Sequence, residues 1–382
     1  MGPRPVKTAV NFFGFRAVPP RSVIDYAQML EGTDVVDYLW MWELSTTWMP
    51  PSLWRPDIIG AAAQLDDCAS FYDPAPLLGM AAGATDKLGI LLNTLTLKHG
   101  PAEQMQRMMT LADCVEGNAV FCVGVGEAYQ TIPLGYKRSD GLKKFEDHFK
   151  LYERFWECDG PFTFEGNIWK ITDGYIGTTR NHKPKIYALG QGPKFLDIAA
   201  RYADGWMTSA PFAYARPDWY AEKVHEVKQK VESYGRDPDE FGFGIMPICL
   251  MSEDRAAIDA AYDNPAMKVL VAGMGRNVQT DWRREGIEPI YPDDWNYAVK
   301  WLPTRVTPEE LDHIVEQVPR RMVEAAWPFV GSAKEIAEKV QGYVEAGATL
   351  VAPFDYFPLF TGLESAFASL TSTIEVCRLL KP

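Results

Sequence analysis

The sequence predicts an α/β fold in which parallel strands alternate with helices: a closed (β/α)8 barrel or an open doubly wound sheet. Three observations carry this. Short apolar runs alternate with helical stripes along most of the chain. Eight such runs can be counted, and parallel pairing follows because each crossover must return the chain to the same end of the sheet. Finally, 382 residues is long for one average domain but common for barrels with insertions. Residues 1–382 are therefore read as one domain.

The elements follow in order. Thr8 to Phe15 reads as a buried strand. Val23, Tyr26, Ala27 and Leu30 then form a helical stripe stopping near Gly32. Val35 to Trp42 is the second strand, and a long irregular segment rich in Trp and Pro runs from Leu44 to about Tyr72. Leu88 to Leu95 is the third strand. Pro101 opens a helix whose stripe is Met105, Met108, Met109 and Ala112, a core-packing pattern closed by Gly117. Ala119 to Val125 is the fourth strand. A helix over Arg138 to Cys158 and a hairpin over Phe162 to Ile171, turning at Gly166-Asn167, come next.

Ile186 to Leu189 is the fifth strand, and Leu196, Ala199, Ala200 and Ala203 stripe its helix. Gly205 to Thr208 is the sixth, with a helix over Asp218 to Tyr234, and Phe243 to Leu250 is the seventh. Residues 264–325 are weakly patterned and read as an insertion with partly helical pieces, expected to cover the substrate. Ser332 and Glu335 then form a capping box for a helix ending near Gly347. Thr349 to Pro353 is the eighth strand.

Composition narrows function. The chain is 47% apolar and 13% aromatic, ample for a large core. Its net charge of −13 argues against nucleic acid or an anionic membrane as the main partner. An anionic cofactor would need a local patch of donors. The cysteines (Cys68, Cys114, Cys122, Cys158, Cys249 and Cys377) have no C-x-x-C spacing and read as free buried thiols, and the histidines form no metal-like pattern. The N-terminal apolar run is too short for a signal peptide and no stretch approaches membrane-spanning length, so a cytosolic protein acting on a small molecule is expected.

Two glycine motifs carry chemistry. Gly190 and Gly192 precede a helix opening at Pro193, where free backbone N–H groups can face a phosphate and Lys194 adds charge. Gly124-Val125-Gly126-Glu127 follows the fourth strand. It lacks the third glycine of a dinucleotide fingerprint, since position 129 is Tyr.

Three stretches together resemble the bacterial luciferase-like family and its deazaflavin-using branch. They are Phe121 to Glu127 with Gln130 and Gly135; Ala188 to Lys194 with Ala199, Arg201, Ala203, Asp204, Gly205 and Trp206; and Val330 to Glu335 with Ala346-Gly347. The resemblance implies the closed barrel, with the active site at the C-terminal strand ends. It implies a homodimer and the deazaflavin coenzyme F-420, with FMN as the alternative cofactor. Cofactor contacts are implied at Leu91, Leu92, Thr94, Gly126, Gln130, Leu189, Gly190, Gln191, Gly192 and Lys194, with a non-proline cis peptide at Leu91-Leu92. Glu127 is implied near the reacting ring, and Trp48 over the active site.

One position departs from the family pattern. Where relatives end the second strand in Asp-His, this chain has Glu43-Leu44, and leucine cannot shuttle a proton. Glu43 or Glu127, with a pKa raised toward neutrality by an aromatic pocket, is expected to substitute. Lys98 and His99 read either as charges for a cofactor's anionic tail or as a solvated pair. Trp42, Trp48, Trp54, Phe354, Tyr356 and Phe357 are expected to line an apolar pocket. Three functions follow: hydride transfer between the deazaflavin and a bulky, mostly apolar ketone, alcohol or activated alkene, the last of which needs no acid at Leu44; FMN-dependent monooxygenation; or cofactor binding without catalysis.

Overall fold

Eight parallel strands close into a barrel in the computed structural model, which describes residues 5–381. We number these strands and the helix completing each β/α unit from one to eight. The first four units are β1 (Lys7–Asn11) and α1 (Ser22–Glu31), β2 (Tyr38–Trp42) and α2 (Pro74–Ala82), β3 (Gly89–Leu95) and α3 (Pro101–Cys114), and β4 (Ala119–Gly124) and α4 (Gly141–Glu157). Then come β5 (Lys185–Leu189) and α5 (Pro193–Tyr202), and β6 (Gly205–Ala210) and α6 (Pro217–Ser233). The last two are β7 (Gly242–Met251) and α7 (Ala333–Glu345), and β8 (Leu350–Val351) and α8 (Ala366–Leu379). Lys7 pairs with Leu350 and Thr8 with Val351, so β8 joins β1 and the open-sheet alternative is excluded.

Strand parity divides the apolar residues between two cores. Trp40, Leu91, Val120, Cys122 and Met207 pack in the interior group that continues up into the barrel mouth. Leu39, Met41, Ile90, Leu92, Phe121 and Val123 pack in the group that includes the surrounding helices, and the methionines of α3 join them there. Five cysteines are buried, while Cys114 at the end of α3 is exposed, contrary to the buried-thiol expectation. No helix among the described residues is long and apolar enough to cross a membrane.

Two connections differ from expectation. The irregular segment after β2 holds only short 3-10 turns at Pro51–Leu53 and Gly60–Ala63, but α2 follows it. The sequence of α2, PAPLLGMAA, hides the helix because it carries two prolines and a glycine and is apolar nearly all round, which leaves no 3.6-residue stripe. Asp73 caps it, accepting a hydrogen bond from Ala75 N. The hairpin spans Phe162–Glu165 and Lys170–Gly174, three residues further than expected. Asp147 of α4, fully buried, organises its turn by accepting hydrogen bonds from the N–H groups of Asn167, Ile168 and Trp169.

Within 264–325 lie helices at Pro265–Met274, Gln279–Arg284, Tyr297–Lys300 and Pro308–Gln317, with Arg320–Ala326 at the end. Buried Arg276 ties them together: it pairs with Glu285, donates to the Ala325 carbonyl and lies over the Trp282 ring. Trp301 Nε1 donates to Trp48 O at 2.8 Å, fastening the segment to the loop after β2. At the far end Ser332 and Glu335 make both hydrogen bonds of the expected capping box.

Candidate active site

The C-terminal strand ends open into a cleft of about 580 Å³. Its floor comes from Trp42, Asn93, Leu95, Gly124, Leu189 and Thr208, and the segment at 264–325 adds Met274, Asn277 and the stretch from Asn296 to Val299. Of the residues singled out from sequence, Glu43, Trp48, Gly126, Glu127, Gln130, Leu189, Gly190, Gln191, Gly192 and Lys194 all line it.

Leu91, Leu92 and Thr94 do not, and strand parity explains why. Side chains alternate along β3, so Asn93 and Leu95 face the cleft. Leu91 is buried deeper in the interior core and Leu92 in the outer one. Thr94 turns toward α3, where its hydroxyl accepts from Gln104 Nε2 at 2.9 Å and donates to Glu43 Oε2 at 2.6 Å. The implied cis bond at Leu91-Leu92 is absent: among the described residues the cis peptide bond is Ala210-Pro211.

The β5–α5 turn leaves its backbone N–H groups open toward the cleft. Gly192 has φ +100° and would meet nothing within 4 Å if it carried a Cβ, so it is glycine for its backbone conformation. Gly190 is fixed from β6: its N–H donates to Met207 O, and Trp206 Nε1 donates to its carbonyl. The N–H groups of Gln191, Gly192, Lys194 and Phe195 make no hydrogen bond among the described residues. They stand at the N-terminus of a ten-residue helix, where partial positive charge collects. The Lys194 side chain is exposed and forms no ion pair among the described residues.

Across β4, Arg138 lines the same cleft, and the reading saw it only as a helix residue. Its Nε is buried without a hydrogen-bond partner. Burial lowers its pKa, and the nearby Glu127 charge works the other way. A guanidinium half taken out of water without a bidentate partner is a group awaiting an anion. Asn277 Oδ1 and Asn93 Oδ1 are likewise buried and unpartnered in the cleft wall.

The corner between β2 and β3 is the opposite case. Glu43 lies 2.8 Å from His99 Nε2 and 3.9 Å from Lys98 Nζ, and accepts from Thr94. Burial alone would raise this carboxyl, but the His99 hydrogen bond and charge, with Lys98 and Thr94, pull it down to about 2. The expectation of a raised pKa therefore reverses at Glu43. Lys98 and His99 are neither solvated nor free, because the carboxylate claims both. Lys98 also donates to Ser45 Oγ and Gln130 Oε1, and Gln130 Nε2 donates to Glu127 Oε2 at 3.1 Å. Glu43 and Glu127 are thus joined through one ammonium and one amide.

The remaining wall is aromatic. Trp42 lies 4.8 Å from Phe354 and Trp48 lies 6.2 Å from Tyr356, ring centre to ring centre. Trp42, Trp48 and Tyr356 line the cleft, joined by Tyr129 and Tyr297. Trp54 is turned away, donating to Leu65 O, and Phe354 and Phe357 lie outside the cleft, Phe354 packing behind Trp42.

The profile of luciferase-like monooxygenases matches residues 19–350. A phthiodiolone/phenolphthiodiolone dimycocerosates ketoreductase of Mycobacterium kansasii is 24% identical, covering 90% of this chain and 94% of that protein. An F-420-dependent glucose-6-phosphate dehydrogenase of Kineococcus radiotolerans is 23% identical over 69% and 70%. Among solved structures, an F-420-dependent secondary alcohol dehydrogenase in complex with an F-420–acetone adduct shares the fold with a TM-score of 0.71, 19% identity and 99% coverage of both chains.

Proposed function

The chain belongs to the luciferase-like monooxygenase family, and on that premise we propose that it is an oxidoreductase using coenzyme F-420 to move a hydride to or from a bulky, mostly apolar substrate. One observation carries this reading: an anion-ready turn and an aromatic wall share one cleft. The relative named as an F-420-dependent glucose-6-phosphate dehydrogenase supports the choice of cofactor, and the one named as a ketoreductase supports a carbonyl substrate.

The residues present fit such a group. The open N–H groups from Gln191 to Phe195, the Lys194 ammonium and the orphaned Arg138 Nε suit a phosphate on its side chain. Gly126 and Leu189 leave room for a flat ring, and Gln130 suits its polar edge. When bound, the deazaflavin supplies two-electron hydride chemistry.

This chain's own side chains supply the rest. Gln130 holds Glu127 through Oε2, leaving Oε1 to exchange a proton with a substrate oxygen. Glu43 stays ionised and acts as a fixed charge that positions Lys98 and, through it, Gln130. It is not a proton donor at neutral pH. Leu44 adds apolar surface where relatives carry histidine, and Trp48 excludes water from the reacting end. The helices of 264–325 serve as the substrate lid. The protein acts as a homodimer in the cytosol.

Leu44 also favours a second reading, FMN-dependent monooxygenation, because oxygen chemistry at a reduced flavin needs no proton relay there. Fluorescence titration with oxidised F-420 and with FMN separates the two. Tight F-420 binding and turnover of a ketone or alcohol panel is expected. FMN binding alone would sink the first reading, and cofactor binding without any turnover would make the protein a carrier.

A further inference from the structure

A second cavity, of about 520 Å³, lies against the aromatic wall, and nothing in the reaction above uses it. It runs from Phe13 and Trp48 at the barrel mouth, past the β1 and β8 exits, to the first turns of α8. Protein interiors hold few voids larger than a water molecule, and this one has the size of a ligand site, ~300–1,000 Å³. Its lining is dominated by apolar side chains such as Phe12, Val18, Leu359, Leu363 and Leu370. Spaces walled in this way stay dry and take up apolar molecules.

Trp48 and Tyr356 line this cavity and the cleft alike, so the partition between them is one side chain thick. The two rings meet edge to face. Trp48 Nε1 is buried without a partner, and no hydrogen bond among the described residues holds the Tyr356 hydroxyl. Either ring can therefore turn without breaking a polar contact. At the outer rim stands Phe367, 79% exposed, an apolar threshold on α8.

The polar atoms inside are few. Asp355 Oδ1 accepts from Met251 N and Phe357 N, the Ser369 hydroxyl stands within hydrogen-bonding reach of the same carboxyl, and Asn11 Oδ1 is buried with no partner among the described residues. Burial raises the Asp355 carboxyl to about 6. A second carboxylate brought beside it would be repelled, whereas a neutral chain would not.

We propose that this cavity holds the alkyl portion of a neutral long-chain alcohol or ketone, whose functional end reaches the cleft past the Trp48–Tyr356 pair. Only the second clause rests on the oxidoreductase reading.

The test is calorimetric titration of the cofactor-free protein with butanone, octanone and dodecanone. Affinity should climb along the ketones by about threefold to fourfold for each buried methylene. Leu370→Trp and Leu359→Trp, which fill the cavity from two different helices, should erase the gain for dodecanone and leave F-420 binding unchanged. A flat chain-length series, or an undiminished series in both variants, would overturn the proposal. Should either variant misfold, crystals of the wild type with a terminally brominated dodecanone decide. Anomalous density for bromine in the cavity supports the proposal, and density confined to the cleft refutes it. Loss of F-420 binding with chain-length dependence intact would instead remove the cofactor assignment alone.

Discussion

The β5–α5 turn and the β2–β3 corner both open onto the cleft, yet hydrogen bonding leaves them in opposite states. At the turn, the backbone N–H groups of Gln191, Gly192, Lys194 and Phe195, and Arg138 Nε in the same cleft, have no hydrogen-bond partner among the described residues. At the corner, Glu43, Lys98, His99 and Gln130 satisfy one another. Unspent donors mark where an external anion completes the structure, because a buried polar group left unpaired is costly. A closed network instead fixes the shape and charge of the wall against which a ligand lies. The charged residues that look most catalytic in sequence are thus mostly spoken for, and the ligand-ready groups are backbone.

Four changes test that contrast. The largest effect is expected at the one carboxylate the network leaves half free. Glu127→Gln should lower turnover by about 10²–10⁴-fold with cofactor affinity nearly intact. Steady-state kinetics beside a fluorescence titration would check this, and full turnover would remove Glu127 from the mechanism.

Breaking the closed corner should register as stability. Glu43→Gln strands the buried Lys98 ammonium, removes the acceptor of His99 and should cost about 3–5 kcal/mol in urea unfolding. The pH dependence has a definite sign. Glu43 is pulled from 4.5 down to about 2, so its stabilisation is complete above 4.5 and is lost as pH falls toward 2. The gap between wild type and variant should therefore narrow over that window and stay constant above it.

The open turn should respond in affinity rather than stability. Gly192→Val forces a β-branched residue into φ +100°, costing about 1–3 kcal/mol, or roughly 10–100-fold in F-420 binding. An unchanged dissociation constant would mean that no phosphate sits there. Arg138→Ala should weaken the cofactor by about tenfold, and Arg138→Lys should restore only part, since an ammonium cannot reproduce the planar fork. Equal affinity for all three proteins would assign Arg138 to packing alone.

Local signals were the legible ones. The strand–helix alternation, the capping box at Ser332 and the glycine turn before Pro193 each depend on residues within a few positions, so their pattern survives in the linear sequence. The side chains of Leu91, Leu92 and Thr94 lie outside the cleft, because a resemblance aligns residues without stating which face of a strand they occupy. In β3 the period of two sends Asn93 and Leu95 to the cleft instead. Arg138 carried no motif, and only the burial of its Nε gives it away.

By itself the sequence determined the eight strands, most of the helices between them and the glycine turn before Pro193, since periodicity and glycine backbone freedom are short-range properties. The tertiary structure decided that the barrel closes, through Lys7 meeting Leu350. It also decided that Glu43 is held near 2, because His99, 56 positions along the chain, comes within 2.8 Å. An ionisable group's behaviour is set by which charges and how much water surround it, and that environment exists only once distant strands have been brought side by side.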